Sequence, residues 1–186
     1  MNKGYLFILT TAFLFGTMET ALKFFGSLFH PIQITVLRFF IGGFMLLPLA
    51  RAALKTHGAV LTKKDYLFFA KAGFIGVFVS MIFYQLAVVY GKAAVSGVLF
   101  SCNPIFVAVW AHFLLHETID RYVISSLVLS AVGILSIVNP FHFRGTYLSV
   151  ILIMLAAVTF GLYSVMGRPA CQRLGGVTVT SYSFIF

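Results

Sequence analysis

Charged residues, and acidic residues above all, are scarce in this sequence. Of its 186 residues only 4 are Asp or Glu and 13 are Lys or Arg, so that charged residues make up 9% of the chain. A soluble domain carries about 25% charged residues, and a chain this poor in charge could not cover a water-facing surface. Hydrophobic residues account for 61% of the positions. The composition therefore predicts an integral membrane protein surrounded by lipid.

Metal-binding and catalytic patterns are also missing. Cys102 and Cys171 form no C-x-x-C pair, so neither a disulfide framework nor a metal–thiolate site is predicted. His112 and His116 are four residues apart, but a zinc site needs further ligands. No G-x-S-x-G, H-E-x-x-H or P-loop motif occurs. We predict no metal, no cofactor and no enzymatic activity, since an intramembrane enzyme would need a site from outside this sequence.

Long apolar runs separated by short polar segments fill the chain. A membrane-spanning helix needs about 20 mostly apolar residues, which predicts an all-α bundle with six complete spans. A seventh run begins at Gly176, and its roughly 11 residues would extend only about 16 Å, which is too short to cross a bilayer. We therefore expect an N-terminal fragment truncated inside span 7. Spans 1 to 6 are predicted at residues 4–25, 31–50, 72–90, 94–115, 122–138 and 145–167.

Basic residues fall mostly in alternate loops. With the amino terminus inside, the outer loops hold only Lys92 and Arg144. The positive-inside rule then predicts a multi-pass protein of the cell (inner) membrane with a cytoplasmic amino terminus. This topology accounts for the net charge of +9, so no nucleic-acid partner is predicted. The cytoplasmic segments hold Lys3, Arg51, Lys55, Lys63, Lys64, Arg121, Arg168 and Arg173.

The beginning of span 6 resembles the beginning of span 1. Each opens with a glycine and an aromatic-rich run, has a glycine in mid-segment and places a base seven residues later, as Gly16 and Lys23 or as Gly161 and Arg168. Because five spans separate the two starts, the second copy is inverted. Inverted repeats are common in secondary transporters. We predict a first repeat over residues 1–140 and the start of a second over residues 145–186.

Motifs spread over the chain resemble those of one transporter family. AFLFGTMETALKFF and HPIQITVLRFFIGG contain a glycine in span 1, a proline that opens span 2, and Arg38. SCNPIFVAVWAHFLLHETIDRYVISSLVLSAVGILSIVNP places Pro104 in span 4, Glu117 at its inner end and Gly133 late in span 5. In order and spacing these motifs resemble the EamA branch of the drug/metabolite transporter superfamily, although Phe15 stands where many members carry tryptophan. The resemblance implies ten helices in two inverted five-helix repeats, with a substrate cavity between the halves.

Ionisable residues inside predicted spans are candidates for function, because burying charge in a bilayer is costly. Glu19 and Lys23 are spaced i,i+4 with the acid first, which is the better order for a pair. Arg38 lies at a depth in span 2 that matches Glu19 in span 1. We hypothesise that Glu19 and Arg38 form a buried pair, either as a structural link or as a group that interacts with substrate or protons. The remaining alternative is that the two side chains make no contact. Glu117 is expected to pair with Arg121 at the inner surface.

Polar groups in spans 3 and 4 are the other candidates for lining a substrate cavity. Pro104 lacks an N–H and crowds the carbonyl of Phe100, so it should bend span 4. Irregular backbone at this depth is tolerated where protein or a water-filled cavity satisfies it. For three of the candidates, Ser80, Gln85 and Asn103, hydrogen bonding between helices is an equal alternative. The full candidate set is Glu19, Arg38, Ser80, Tyr84, Gln85, Asn103 and Pro104.

These features predict a secondary carrier that moves a small organic solute by alternating access between two repeats. Its expected partners are lipid, the solute and a coupling ion, either a proton or sodium. The alternative is a channel-like protein, or a structural or sensory membrane protein without carrier activity. A channel would show a filter-like ring or a repeated pore segment, and neither is visible in the sequence.

Overall fold

The computed structural model describes residues 4–6, 9–14, 17, 31–137 and 147–186, and within these residues the regular structure is helical, with no strands. This confirms the predicted all-α class. A π-helical turn, Phe74–Val79, connects the second and third helices below. From Pro31 onward the helices are α1 Pro31–His57, α2 Lys63–Gly73, α3 Ser80–Tyr90, α4 Ala93–Phe100, α5 Asn103–Leu115, α6 Arg121–Ile137, α7 Tyr147–Leu174 and α8 Gly176–Ile185.

Four helical stretches in the described residues are long and apolar enough to cross a membrane. Three of them extend well beyond the predicted spans: α1 continues to His57, α2 begins at Lys63 and α7 continues to Leu174. The predicted spans stop where charged residues begin, because charge marks the end of the apolar run. The helices continue past these points because Lys, Arg, Ala and Leu are all good helix formers. The four stretches are Ile32–His57, Lys63–Tyr90, Val95–Leu115 and Tyr147–Leu174, with shorter apolar helices at Gly4–Leu14 and Arg121–Gly133.

The α7 helix is the central element of the bundle. It packs against α3, α4, α5 and the π-turn, while α8 lies mainly along α1 and α2. Small residues at these contacts let the helices approach closely, as is usual in membrane proteins. The main core cluster consists of Tyr84, Ala87, Leu99, Ile153 and Ala156.

The α8 helix is tied to α1 by polar contacts as well as by packing. Ser181 Oγ donates a hydrogen bond of 2.8 Å to the carbonyl of Gly43. Thr178 Oγ1 donates to the carbonyl of Ala50 at 3.2 Å. Both hydroxyl-bearing residues are buried, so each hydroxyl finds its partner in the backbone of the neighbouring helix.

The π-turn lies where the helical stretch Lys63–Tyr90, which comprises α2, the π-turn and α3, packs against α7 and α8. A Cβ atom added at Gly76 would overlap the ring of Tyr163 on α7, and one at Gly73 would overlap the carbonyl oxygen of Ser183 on α8. Glycine is therefore required at both positions for the helices to approach this closely.

Both ends of the bundle bring together loops that the predicted alternation of spans places on the same side. At one end, Gly91 after α3 lies against Ser149 near the start of α7. The opposite end, called the basic end below, comprises the last turns of α1, α5 and α7 and the first turns of α2, α6 and α8. Three contacts bring these turns together: Asp65 with Arg173, Glu117 with Arg168, and His57 with Gly175.

Candidate functional site

A cavity of about 540 Å³ lies between α5, α6 and α7. Asn103 and Pro104 line it halfway along the Val95–Leu115 stretch, and Glu117 and Arg168 line it at the basic end. This volume lies in the range of sites for small organic ligands. Between these polar ends the wall is largely apolar, with Val107, Ala108, Ala111, Val123 and Leu127.

A break in the helix positions Asn103. The α4 helix ends at Phe100, and α5 begins at Asn103 after a two-residue turn. The amide of Cys102 donates to the carbonyl of Leu99 at 3.1 Å, which tightens the last turn of α4. Pro104 falls in the first turn of α5, where its missing N–H costs nothing. The helix is therefore interrupted just before Pro104, at the place where a bend was predicted.

The amide oxygen of Asn103 is buried without a partner. Its Oδ1 atom makes no hydrogen bond within the described residues. It lies close to Gly161 on α7, where an added Cβ would be only 3.3 Å away. A buried acceptor left unpaired costs about 1–3 kcal/mol, so it is maintained where water or a ligand can satisfy it.

The ion pair at the other end of the cavity is well defined. Arg168 Nη1 lies 2.7 Å from each carboxylate oxygen of Glu117. The α5 helix ends at Leu115, and the residue that caps it, His116, adopts the left-handed conformation with φ 53°, as is common after a helix. The imidazole of His112 then contacts the Glu117 carbonyl at 2.9 Å. These contacts direct the acid toward α7.

The observed partner of Glu117 differs from the predicted one. We expected Arg121, four residues further along the chain, but the carboxylate binds Arg168 instead. The i,i+4 rule applies within a continuous helix, and residues 116–120 are not helical. The prediction failed because the helix ends before Glu117.

Three predicted lining residues of span 3 do not reach the cavity and lie instead in the interface with neighbouring helices. Ser80 Oγ donates to the carbonyl of Ala156 on α7 at 2.8 Å. The ring of Tyr84 packs edge-on against Phe100, with centroids 5.0 Å apart. Gln85 is buried. For Ser80 the structure thus favours hydrogen bonding between helices.

The predicted pair in the first two spans is only partly visible. Glu19 and Lys23 lie outside the described residues, so the pairing of Glu19 with Arg38 stays a prediction. Arg38 is half-buried on α1. Its guanidinium carbon lies 4.7 Å from the ring centroid of Phe39, within cation–π range, and its Nη2 atom lies 3.9 Å from Met81 Sδ.

Sequence reasoning missed Arg168, Ser126 and Gly161 as parts of this site. Two of them, Gly161 and Arg168, could have been noticed in the sequence, because they are the residues that mark the internal repeat. Within the described part of the chain, no three His, Cys, Asp or Glu side chains are grouped closely enough to hold a metal ion.

The EamA-like transporter family model matches residues 2–139. The chain belongs to this family. The resemblance seen in its motifs is thereby confirmed. Since its described residues include four apolar helices of spanning length, this EamA-like chain is a multi-pass membrane protein.

Curated relatives with similar sequences are named as transporters. The chain is 33% identical to an uncharacterized transporter of Clostridium kluyveri, and the match covers all of the chain and 62% of that protein. An uncharacterized transporter of Archaeoglobus fulgidus is 27% identical over the whole chain and 64% of its own length. The uncharacterized transporter YetK of Bacillus subtilis is 28% identical over 81% of the chain and 47% of its own length. The chain thus spans less than two thirds of each relative, and no solved structure matches it.

Proposed function

We propose that this EamA-like protein carries a small organic solute across the membrane by alternating access, and that the cavity between α5, α6 and α7 belongs to the solute pathway. Asn103 carries the proposal, because its unpartnered Oδ1 lies at a helix break beside the cavity. Transporter sites form near the middle of the bilayer from interrupted helices of this kind.

The shape of the cavity supports a solute with an apolar body and a polar donor group. The apolar walls would bury the body of the solute, and Asn103 Oδ1 would accept a hydrogen bond from its donor. The two halves that move against each other are residues 1–140 and the repeat that begins at residue 145. The clustering of bases at one end supports a cytoplasmic location for that end.

Transport by the full-length gene product reconstituted in liposomes tests this function. A carrier gives uptake that saturates with solute concentration and accelerates when the lumen is preloaded with the same solute. Flux that stays linear with concentration would indicate a pore instead. Proton and sodium gradients imposed separately would identify the coupling ion and the direction of net movement.

A substitution at Asn103 tests the site itself. Asn103→Leu removes the unpaired acceptor, so we expect it to stabilise the protein by about 1 kcal/mol while transport falls about tenfold or more. Ser101→Ala is the matched control, because this residue is exposed and its hydroxyl donates to the carbonyl of Gly97 in the adjoining turn of α4. Normal transport by Asn103→Leu would remove this residue from the pathway.

A further inference from the structure

Two charged side chains stand among the described residues that line the cavity between α5, α6 and α7, and they neutralise each other. Arg168 Nη1 lies 2.7 Å from both carboxylate oxygens of Glu117, and both residues line the cavity at the basic end. At the other end stands the uncharged amide of Asn103. The described cavity wall therefore carries no net charge.

The guanidinium of Arg168 keeps hydrogen-bond donors that Glu117 does not use. An arginine side chain carries N–H groups on all three guanidinium nitrogens. Glu117 contacts Nη1, and within the part of the chain that the structure describes the Nη2 and Nε atoms of Arg168 make no hydrogen bond. The Arg168 side chain is 41% exposed. An acceptor group of a solute can therefore bind Arg168 while Glu117 stays paired.

Both ends of the cavity favour a neutral group over an ionised one. Asn103 presents an unpartnered acceptor, Oδ1, and the carboxylate of Glu117 lies at the opposite end. Burying an ammonium group against an amide oxygen alone is costly, so a hydroxyl or amide N–H suits this end. A second carboxylate on Arg168 would repel Glu117 at short range. A neutral carbonyl avoids that repulsion.

The two polar ends are far enough apart to require a solute with separated polar groups. Asn103 Oδ1 lies beside Gly161 of α7, and Arg168 follows seven residues later on the same helix. At 1.5 Å per residue these positions are about 10 Å apart along the helix axis. Two hydrogen bonds of about 3 Å each occupy part of that distance. Several bonds of apolar chain between the donor and the acceptor of the solute would fill the rest.

We propose that the solute is uncharged and bifunctional: it donates a hydrogen bond to Asn103 Oδ1, accepts one from Arg168, and packs an apolar body against the wall between them. This solute class rests on the proposed function, because it concerns the same cavity. Glu117 determines the selectivity for neutral solutes, because its carboxylate cancels the guanidinium charge that would otherwise attract anions.

Binding of three matched probes to the purified full-length protein in detergent, measured by isothermal titration calorimetry, tests the proposal. The probes share one body: ω-hydroxyhexanamide is neutral, ω-hydroxyhexanoate is anionic and ω-aminohexanamide is cationic. We expect the neutral probe to bind at least about tenfold more tightly than either charged probe. Hexanamide, which lacks the donor, should bind roughly two- to tenfold more weakly than ω-hydroxyhexanamide.

Substitutions at the ion pair test which residue sets the selectivity. Glu117→Gln leaves the charge of Arg168 unbalanced, so the affinity for ω-hydroxyhexanoate should rise about tenfold while that for ω-hydroxyhexanamide stays within about twofold. Arg168→Gln removes the donors and should weaken ω-hydroxyhexanamide without improving ω-hydroxyhexanoate. The control is Arg121→Gln, which removes an exposed base at the same end that does not line the cavity. It should change neither affinity.

The possible outcomes separate this proposal from the proposed function. Equal or tighter binding of a charged probe, no binding of ω-hydroxyhexanamide, or an unchanged preference in Glu117→Gln would overturn the proposal. Saturable flux in liposomes together with any of these results would refute the solute class alone. Selective binding of ω-hydroxyhexanamide by a protein whose flux stays linear would instead refute the carrier function and leave the binding site in place.

Discussion

Arg168 donates to both carboxylate oxygens of Glu117 at 2.7 Å and so joins the loop after α5 to α7. Five residues further along α7, Arg173 bonds to Asp65 at the start of α2. Pro169 lies between the two arginines. If residues 1–140 and the segment from residue 145 are the two repeats proposed above, both pairs connect the first repeat to the second at the basic end. The proposed opening of that end would then have to break them.

The Glu117–Arg168 pair should contribute little to stability, because Glu117 is 50% exposed. We expect Glu117→Gln to lower the free energy of unfolding by about 0.2–1 kcal/mol. Glu117→Arg alone should cost more, since it places two guanidinium groups together. Adding Arg168→Glu should restore most of the loss. Thermal unfolding in detergent measures all three variants, and a swapped pair no more stable than Glu117→Arg would contradict the pairing.

The Asp65–Arg173 pair should matter more, because the side chain of Asp65 is only 9% exposed. Among the described residues, Arg173→Gln leaves this carboxylate with the hydrogen bonds from Thr62 alone, and we expect a cost of about 1–3 kcal/mol. The matched control is Arg168→Gln, whose cost should stay below about 1 kcal/mol. Equal losses in chemical unfolding would show that burial of Asp65 is unimportant.

Gly76→Ala should disrupt the crossing of the π-turn with α7, because the new methyl group overlaps the ring of Tyr163 near its attachment point. Relief requires the helices to separate, so we expect a loss of about 1–3 kcal/mol. Gly133→Ala is the control: this residue of α6 has no atoms within 4 Å of an added Cβ. It should be neutral, or stabilising by up to about 1 kcal/mol. Similar melting temperatures for the two variants would count against the close approach.

The Ser80→Ala variant tests whether the Ser80 hydroxyl has a structural role or contacts the solute. If the hydroxyl serves only its bond to Ala156, its removal should cost about 0.6 kcal/mol and at most about 1.7 kcal/mol, as for other hydrogen bonds between membrane helices. Saturable transport should be retained. Loss of transport with unchanged stability would instead place Ser80 in the solute pathway.

Some features of this protein could be predicted from the sequence and others could not. Pro104 indicated an irregularity in span 4, because the effect of proline on the backbone is local. The partner of Glu117 could not be read from its neighbours, because Arg168 is distant in sequence and reaches it only through helix packing. Ser80, Tyr84 and Gln85 looked equivalent to Asn103 as polar groups at membrane depth, yet only Asn103 lines the large cavity.

The sequence by itself determined that this protein is helical, that lipid surrounds it and that it belongs to the EamA-like family. Those conclusions depend on composition, on the lengths of apolar runs and on residues at local spacing. Only the tertiary structure decided which helices meet, that α7 is central, and which polar groups share a cavity. The physical reason is that a membrane-spanning helix is apolar on every side. No hydrophobic face therefore indicates which helix it packs against, and close packing of small residues determines the neighbouring helix instead.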